Sequence, residues 1–265
     1  MNIISQGDFM FKKVILNRSL LSFLCCIALC FAISLSVVYE VVSTTSQNRL
    51  LPIYSVETEE KKIAITFDAA WSAEDTDDLI DILKKHSASA TFFVVGDWVN
   101  KNPEAVKKLF ENGHEIGNHS DTHPAYSKLS RNEIKIDIKN CNKKIEAITK
   151  TKTKLCRAPS GDYDNKSIEV CDDLGMKMIQ WDVDSLDWKL LSVDEMYNRV
   201  VNKVQNGSII LFHNGVENTP EALDKILSKL KADCYEFVTV SELIYWDNYE
   251  IDHSGRQFLL KQNQG

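Results

Sequence analysis

The feature that most constrains the fold is a repeated alternation of short apolar segments with segments of helical spacing. The apolar segments have the length of buried strands, and the segments between them carry leucine, isoleucine or valine at three- and four-residue intervals. About seven such β-then-α units in one domain predict parallel strands with the helices outside, and hence a (β/α) barrel. The predicted strands are 63–67, 90–95, 115–118, 155–157, 176–182, 208–212 and 237–240, and the predicted helices are 75–86, 103–112, 130–149, 165–174, 192–204 and 219–231.

Two of these helices have a clear starting signal. Ser130 is followed three residues later by Glu133, and Ser192 is followed by Glu195. In such a capping box the serine hydroxyl and the glutamate carboxylate each accept a hydrogen bond from a backbone N–H that the first turn leaves free. The pattern therefore predicts helices that begin next to Ser130 and Ser192.

The N-terminal part is unlike the rest, because residues 19–39 contain no charged side chain. A helix of that length would reach about 30 Å, the thickness of the hydrocarbon core of a bilayer. Lys12, Lys13 and Arg18 precede the run and Glu40 follows it, which places residues 1–18 in the cytoplasm and the rest outside. We predict a transmembrane signal-anchor at 19–42. A cleaved signal peptide and a buried helix are the alternatives, and the bulky residues at 37–39 do not favour cleavage.

This organisation divides the chain into five parts. A cytoplasmic N-terminus, 1–18, precedes the anchor at 19–42, and a polar stalk follows at 43–60. The barrel domain takes up 61–245, and 246–265 is predicted to be a peripheral C-terminal tail. The expected location is the cell membrane, crossed once, with the large domain on the extracytoplasmic side.

The net charge disfavours one class of partner. With 31 Lys and Arg against 38 Asp and Glu, the chain carries −7 at neutral pH. Nucleic-acid binding needs a basic face, so nucleic acid is not expected as a partner. An uncharged or sparsely charged substrate fits better, and the oligomeric state stays open.

The seven cysteines do not form a metal-binding pattern. Three lie in the predicted anchor, and the other four, Cys141, Cys156, Cys171 and Cys234, are widely spaced without a C-x-x-C pair. This spacing excludes a zinc ribbon. In an extracytoplasmic domain these four cysteines allow two disulfides, and their spacing does not determine which cysteines pair.

Polar side chains with catalytic potential follow the predicted strands in succession. In a (β/α) barrel the carboxyl ends of the strands carry the active site, because loops from different strands converge there. We therefore expect one site built from residues that follow five of the seven strands. They are Asp68, His119 and His123, Arg157, Asp184, Asp187 and Trp188, and His213.

The two neighbouring histidines indicate a metal site. His119 and His123 are four residues apart, so one turn would place both imidazoles on one side, as two ligands of a zinc-like ion. His213, at the end of an apolar strand, is a candidate general acid or base. Taken singly, each could instead be a surface or core histidine, and Asp68 and Arg157 could be a helix cap and an ion-pair residue.

The five strand-end segments resemble the successive motifs of the polysaccharide deacetylases, the NodB-homology family or carbohydrate esterase family 4. The resemblance covers about residues 61–242, and the stretch GSIILFHNGVENTPEAL from Gly207 is further similar to the sporulation-associated branch. The motifs are Thr66-Phe67-Asp68, His119-Ser120-Asp121-Thr122-His123, Arg157-Ala158-Pro159-Ser160-Gly161, Asp184-Ser185-Leu186-Asp187-Trp188 and Leu211-Phe212-His213.

The resemblance implies a distorted (β/α) barrel and metal-dependent removal of N-acetyl groups from a cell-wall polysaccharide, either peptidoglycan or a chitin-like glycan. Asp68 would be the base, oriented by Arg157, and His213 the acid, held by Asp187. His119 and His123 would hold a divalent ion, with zinc expected and cobalt or manganese as alternatives. Trp188 and Leu211 would enclose the acetyl methyl group, and Ser160 would lie against the substrate.

Two positions depart from the family pattern. The usual second aspartate of the first motif, a metal ligand, is Ala69, so a metal ion would be weakly held. Ser160 replaces the usual aromatic residue of the third motif. The alternatives are therefore a catalytically degenerate barrel that binds glycan without turnover, or an O-acetyl esterase.

Overall fold

The computed structural model describes residues 21–23, 25–31 and 49–260. Residues 21–23 and 25–31 are helical and exposed, while the other residues of the predicted anchor, 19–42, lie outside the described residues together with 1–18 and the last five residues. Among the residues that are described, no helix is long and apolar enough to cross a membrane. The chain divides at Arg49 into two compact units, and the second, Leu50–Gly265, contains the elements described below.

Eight strands of this unit form one sheet, in which every neighbouring pair is parallel. The strands are β2 (Lys62–Ala69), β3 (Ala90–Val94), β4 (Glu115–Asn118), β5 (Leu155–Cys156), β6 (Lys177–Met178), β7 (Val183–Asp184), β8 (Ile209–His213) and β9 (Glu236–Val238). From edge to edge the order is β6-β5-β4-β3-β2-β8-β7, and β9 also pairs with β2. The curled parallel sheet confirms the predicted α/β class.

An extended segment, 53–56, lies between the β6 edge and the start of β8. The Ile53 N–H donates to the Met178 carbonyl (3.0 Å), and the Ile53 carbonyl accepts from Gln180 N–H (2.7 Å). On the other side, Val56 N–H donates to the Gly207 carbonyl (2.9 Å). The segment therefore connects the β6 edge to the start of β8 through backbone hydrogen bonds.

Helices follow most of the strands, as the sequence predicts. Ser130 and Ser192 form the predicted capping boxes with Glu133 and Glu195, so both helix starts are confirmed. The helices are α1 (Thr76–Lys85), α2 (Gly96–Lys101), α3 (Pro103–Glu111), α4 (Arg131–Thr149), α5 (Asn165–Asp173), α6 (Val193–Val201), α7 (Thr219–Ala232) and α8 (Val240–Leu243).

The two faces of β2 serve different purposes. Alternate residues of this strand, including Ile65 and Phe67, belong to the large apolar cluster that the sheet forms with the surrounding helices. Ala64, on the other face, belongs to a second apolar cluster with Phe93 and Ile209. Because side chains alternate along a strand, Asp68 shares the inner face of Ala64 and lies at its carboxyl end.

One strand prediction was wrong. Within the predicted strand 176–182 only Lys177 and Met178 form a strand, β6, and the next strand, β7, begins after it at Val183, at the opposite edge of the sheet. The backbone between them bonds elsewhere: Gln180 N–H donates to Ile53, and the Gln180 carbonyl accepts from the Arg157 side chain. The apolar run is therefore continuous in sequence but not in strand pairing.

The stalk and tail contain structure that the sequence did not predict. A second sheet, of order β1-β11-β10, consists of β1 (Ser55–Val56), β10 (Tyr249–Ile251) and β11 (Arg256–Leu259). β1 and β11 are parallel, with Ser55 opposite Arg256. Residues from 43–60 and from 246–265 are thus paired with each other in the described part of the chain, and Val56 is fully buried.

Candidate active site

The carboxyl ends of the strands surround a cleft of about 490 Å³. Asp68 ends the inner face of β2, His213 is the last residue of β8, and the two strands are neighbours with Asp68 opposite His213. The sheet therefore brings together residues that are far apart in sequence. The lining residues are Asp68, Ala70, Trp71, His119, His123, Ser160, Trp181, Asp184, Trp188, Leu211 and His213.

The Asp68 carboxylate is paired with a fully buried arginine. Arg157 Nη1 donates to Asp68 Oδ1 at 2.8 Å, and Nη2 donates to the Gln180 carbonyl at 3.1 Å. The guanidinium lies over the ring of Phe93 (4.1 Å) and near that of Trp181 (5.3 Å). Hydrogen bonds and aromatic contacts thus fix the arginine behind the carboxylate, in one orientation.

This environment keeps Asp68 ionised. Burial alone would raise the pKa of Asp68, but the attraction of His119, Arg157 and His213 outweighs it and lowers the pKa. Burial lowers the pKa of His119 to about 4, so that imidazole is neutral at pH 7. The positive charge in direct contact with Asp68 at neutral pH is therefore that of Arg157.

The protonation of His119 is fixed by its partners. Its Nδ1 lies 2.9 Å from the Arg157 carbonyl oxygen, which can only accept, so Nδ1 carries the hydrogen. The bare Nε2 then faces Asp68 Oδ2 at 3.3 Å. Two acceptors face each other across this contact, an arrangement that a cation between them would stabilise.

His123 completes the histidine pair. Its backbone N–H donates to the Oγ of Ser120 at 2.8 Å, and its backbone has a positive φ of 61°. Its ring centroid is 5.1 Å from that of His119, and burial lowers the pKa of His123. Neutral imidazoles are suitable ligands for a zinc-like ion.

The fit to a metal ion is partial. Across the residues that the structure describes, no group of three or more His, Cys, Asp or Glu side chains is arranged to hold an ion. Ala69, where the family pattern has a ligand, is fully buried in the apolar cluster between sheet and helices and does not line the cleft, unlike its neighbours Asp68 and Ala70. The donor set therefore fits two ligands of a metal but lacks the third.

The second catalytic candidate, His213, is held by a buried carboxylate. Asp187 Oδ1 accepts from His213 Nδ1 at 2.8 Å, and Oδ2 accepts from His213 backbone N–H at 2.6 Å. Trp188 N–H and Thr219 Oγ1 also donate to this carboxylate, at 2.8 and 3.0 Å. Asp187 thus has hydrogen bonds to both oxygens and holds the imidazole through Nδ1, leaving Nε2 for a substrate.

The charge of His213 follows from this contact. Burial would lower the pKa of His213, but the hydrogen bond to Asp187 and the negative charges of Asp187, Asp68 and Asp184 raise it overall. A raised pKa increases the fraction of imidazolium at neutral pH. His213 is therefore suited to donate a proton.

The structure places all ten residues predicted for the site in or behind this cleft. Eight line it, and the remaining two, Arg157 and Asp187, are fully buried behind Asp68 and His213. Ser160 is exposed in a turn with a left-handed backbone, Leu211 is buried, and Trp188 is half-exposed. The eight are Asp68, His119, His123, Ser160, Asp184, Trp188, Leu211 and His213.

Sequence reasoning missed three contributors. Trp71 lies parallel to the His213 ring, with centroids 5.0 Å apart, and Trp181 lines the cleft beneath the Arg157 guanidinium. Thr219 supports Asp187. The position of Trp71 three residues after Asp68, in a strand-end loop, was the one signal available for it.

Comparisons with known proteins agree with this geometry. A family model described as polysaccharide deacetylase matches residues 55–179. The chain is 35% identical to the protein YlxY of Bacillus subtilis over 73% of the chain and 60% of YlxY. It is 38% identical to the peptidoglycan-N-acetylglucosamine deacetylase PgdA of Listeria monocytogenes over 76% of the chain and 42% of PgdA. The chain thus spans about half the length of these two relatives.

The chain covers a larger share of a shorter relative and of two solved structures. The chain is 37% identical to a peptidoglycan-N-acetylglucosamine deacetylase of Bacillus cereus, over 72% of the chain and 92% of that protein. The Bacillus anthracis protein BA3943, described as a CE4 family pseudoenzyme, is 36% identical, with a TM-score of 0.71 over 78% of this chain and 72% of that one. A BA3943 mutant described as having restored enzymatic activity also has a TM-score of 0.71, at 38% identity over 74% of this chain and 71% of the mutant.

Proposed function

Because the chain belongs to the polysaccharide deacetylase family, we propose that it hydrolyses N-acetyl groups on a cell-wall polysaccharide. The observation that supports this proposal is that two buried ion pairs lie at one cleft, Asp68 with Arg157 and His213 with Asp187. Relatives named as peptidoglycan deacetylases make peptidoglycan the first candidate, and a chitin-like glycan the second.

Asp68 is the proposed base. Its Oδ1 accepts from Arg157, so Oδ2 is the oxygen that accepts a proton from the attacking water. The water oxygen then bonds to the acetyl carbonyl carbon. Because the pKa of Asp68 is lowered, the carboxylate is ionised and ready at neutral pH.

His213 is the proposed acid. Its Nε2 donates a proton to the amide nitrogen as the carbon–nitrogen bond breaks, and the products are acetate and a free amine on the sugar. Asp187 keeps the imidazole oriented and charged for that step. An amide requires this proton because the nitrogen would otherwise have to leave as a strongly basic amide anion, whereas the alkoxide of an ester is a better leaving group and depends on the proton less.

We place a divalent ion on His119 and His123, with zinc first and cobalt or manganese as alternatives. When bound there, it would polarise the acetyl carbonyl. Two imidazoles without a third protein ligand support weak binding and ready exchange. Ser160, Trp188 and Leu211 are the proposed substrate contacts, with Trp188 and Leu211 enclosing the acetyl methyl group.

The proposed location is the cell membrane, with the catalytic unit outside it. The uncharged run 19–39 and the basic residues before it support this placement. Protease added to intact protoplasts should degrade the catalytic unit and leave the N-terminus protected. Protection of the whole chain would contradict the placement.

A second candidate is a barrel that binds glycan without turnover. Two observations favour it: Ala69 lies in the apolar cluster in place of a metal ligand, and the similar protein BA3943 is described as a pseudoenzyme. The intact pairs at Asp68 and His213 favour the enzyme, because binding alone does not need a proton donor and acceptor.

Acetate release from N-acetylated glycan separates the two. The full chain, purified in detergent, is incubated with chitotetraose or peptidoglycan fragments and with Zn²⁺, Co²⁺ or Mn²⁺. We expect release that falls by about 10²-fold or more in Asp68→Asn and in His213→Ala, since each removes a proton-transfer group.

His253→Ala is the matched control, because this histidine is exposed in the described turn before β11 and away from the cleft. It should keep full activity. Measurable glycan binding without acetate release under any of the three metals would support the non-catalytic barrel instead.

A further inference from the structure

Tryptophan side chains are distributed unevenly over the surface of this protein. The chain has five, and the two that are exposed, Trp71 and Trp188, both line the cleft. Their exposed fractions are 50% and 47%, against 3% for Trp98. Large aromatic side chains exposed together at a cleft are typical of a ligand-binding surface.

Trp71 has one covered face and one open face. Its ring is stacked on the His213 imidazole, with an interplanar angle of 21° and centroids 5.0 Å apart. Because His213 covers one face of the indole, the exposed half belongs to the opposite face and the edge. Trp71 is one of the residues that line the cleft.

The loop that carries Trp71 is fixed to the residues after His213. The Asn214 side-chain amide donates to the Ser72 carbonyl, and Gly215 N–H donates to Asp75 Oδ2 at 2.7 Å. Gly215 has a φ of 71°, and a Cβ there would lie 2.8 Å from Ser72 N, so the two loops are in close contact. The indole is therefore positioned before any ligand arrives, which reduces the entropy lost on binding.

The chemistry of such a surface selects its ligand. A hexosamine ring has an apolar face of C–H groups and a rim of hydroxyl and amide groups. The negative face of an indole attracts those C–H groups, while Asp184 in the same cleft offers a hydrogen-bond acceptor for the rim. The negative net charge of the chain also favours a sugar without added negative charge.

We propose that Trp71 is a sugar-binding residue, on which a hexosamine ring of the glycan stacks against the indole face that is turned away from His213. This inference rests on the proposed function for its substrate class, because the ring bound there belongs to the polysaccharide that is deacetylated. It adds a specificity-determining contact from the loop after β2, on a residue that the family motifs do not include.

Equilibrium binding tests the contact without turnover. Isothermal titration calorimetry uses the full chain with Asp68→Asn, which suppresses hydrolysis, and chitotetraose as the probe. Adding Trp71→Ala should weaken binding about 10-fold, the loss expected for one aromatic stacking contact of roughly 1.4 kcal/mol. Trp71→Phe, which keeps a smaller ring, should weaken it by about 3-fold. It also serves as the test if the alanine variant does not fold.

Leu190→Ala is the matched control, because Leu190 is a larger exposed apolar surface (74%) outside the cleft lining. Adding Leu190→Ala should not change the dissociation constant for chitotetraose. Unchanged binding in both Trp71 variants would overturn the proposal, and so would a wild-type chain that binds neither chitotetraose nor peptidoglycan fragments.

Kinetics in the otherwise wild-type chain separate stacking from support of His213. A sugar-binding residue predicts a KM about 10-fold higher in Trp71→Ala with kcat little changed. A fall in kcat with unchanged affinity would instead mean that Trp71 only positions the imidazole, and would overturn the proposal. If the wild-type chain binds glycan through Trp71 but releases no acetate, the deacetylase function fails and the sugar contact stands.

Discussion

The cleft has two halves, one around the proposed acid His213 and one around the proposed base Asp68, and each contains a buried carboxylate. The two carboxylates differ in how many hydrogen bonds they accept. Asp187, in the acid half, receives four hydrogen bonds from the chain itself, from His213, Trp188 and Thr219. Asp68, in the base half, receives one from Arg157, and its other oxygen faces the bare nitrogen of His119. The acid half is complete within the polypeptide, whereas the base half has room for a positive partner from outside. The difference locates any dependence on added metal in the base half alone.

The strongest way to break this comparison is to remove the positive charge that the base half does possess. Arg157→Gln leaves Asp68 ionised and buried without its partner, so we expect the free energy of unfolding to fall by about 3–5 kcal/mol. Urea denaturation followed by circular dichroism measures this. Asp68→Asn in the same chain should recover part of the loss, because the uncompensated charge is then removed.

Arg131→Gln is the control for this substitution. Arg131 is exposed and paired with Glu169 and Asp173 on the surface, so its loss should leave the unfolding curve unchanged. If Arg157→Gln were as harmless as Arg131→Gln, the buried pair would not be a structural requirement.

The acid half is tested by Asp187→Asn through the pH profile of deacetylation. The pKa of His213 is raised above its usual value by Asp187, so the imidazolium is present below that pKa and is lost as the pH rises through it. Asparagine removes the charge, and the basic limb of the profile should move to lower pH, with activity at pH 7 reduced about 10²-fold. The acid limb belongs to Asp68, whose pKa is lowered, and should stay in place.

Movement of both limbs together in Asp187→Asn would show that the two halves are not independent. A profile measured on Asp194→Asn, an exposed carboxylate paired with Lys225, provides the baseline. We expect it to match the wild-type profile.

A smaller effect is expected at the position of the missing ligand. Ala69→Asp puts a carboxylate into an apolar cluster, so stability without metal should fall by about 2 kcal/mol. Ala70→Asp is the matched comparison, because Ala70 is partly exposed and lines the cleft. Ala70→Asp should lower the stability by less than Ala69→Asp does. Equal losses by thermal denaturation would show that both positions reach solvent.

The smallest effect is expected from metal itself. Zn²⁺ added in excess of a weak dissociation constant should raise the melting temperature by about 2–4 °C, through preferential binding to the folded chain. His119→Ala and His123→Ala should each abolish the shift, whereas His253→Ala should keep it. A shift that survives in both cleft variants would place the ion elsewhere.

The sequence predicted much of this architecture because the decisive signals are local. The alternation of strand and helix, and the capping boxes at Ser130 and Ser192, each depend on residues within one segment. The convergence of Asp68, His119, Arg157 and His213 followed from one rule, that parallel strands end at the same edge. Their chemical roles remain predictions.

The features that were missed depend on contacts between distant segments. The strand predicted over 176–182 ends after Met178 because Ile53 and Arg157 bond to the backbone groups of Gln180 instead. The strands of the tail exist because β1 offers them a partner, and a polar tail such as 246–265 has no periodicity that shows this. Trp71 was missed because an aromatic residue in a loop is ordinary until its stacking on His213 is seen.

The segment 53–56 has a consequence for how the protein is made. It bonds to both the β6 edge and the start of β8, and its β1 pairs with β11, so the first described residues of this unit are held by a strand near its other end. During synthesis, a chain that has not yet reached residue 256 lacks the partner strand for Ser55 and Val56. The native arrangement can therefore form only after the last strand has left the ribosome, and a prematurely terminated product keeps an open sheet edge that quality-control proteases can recognise.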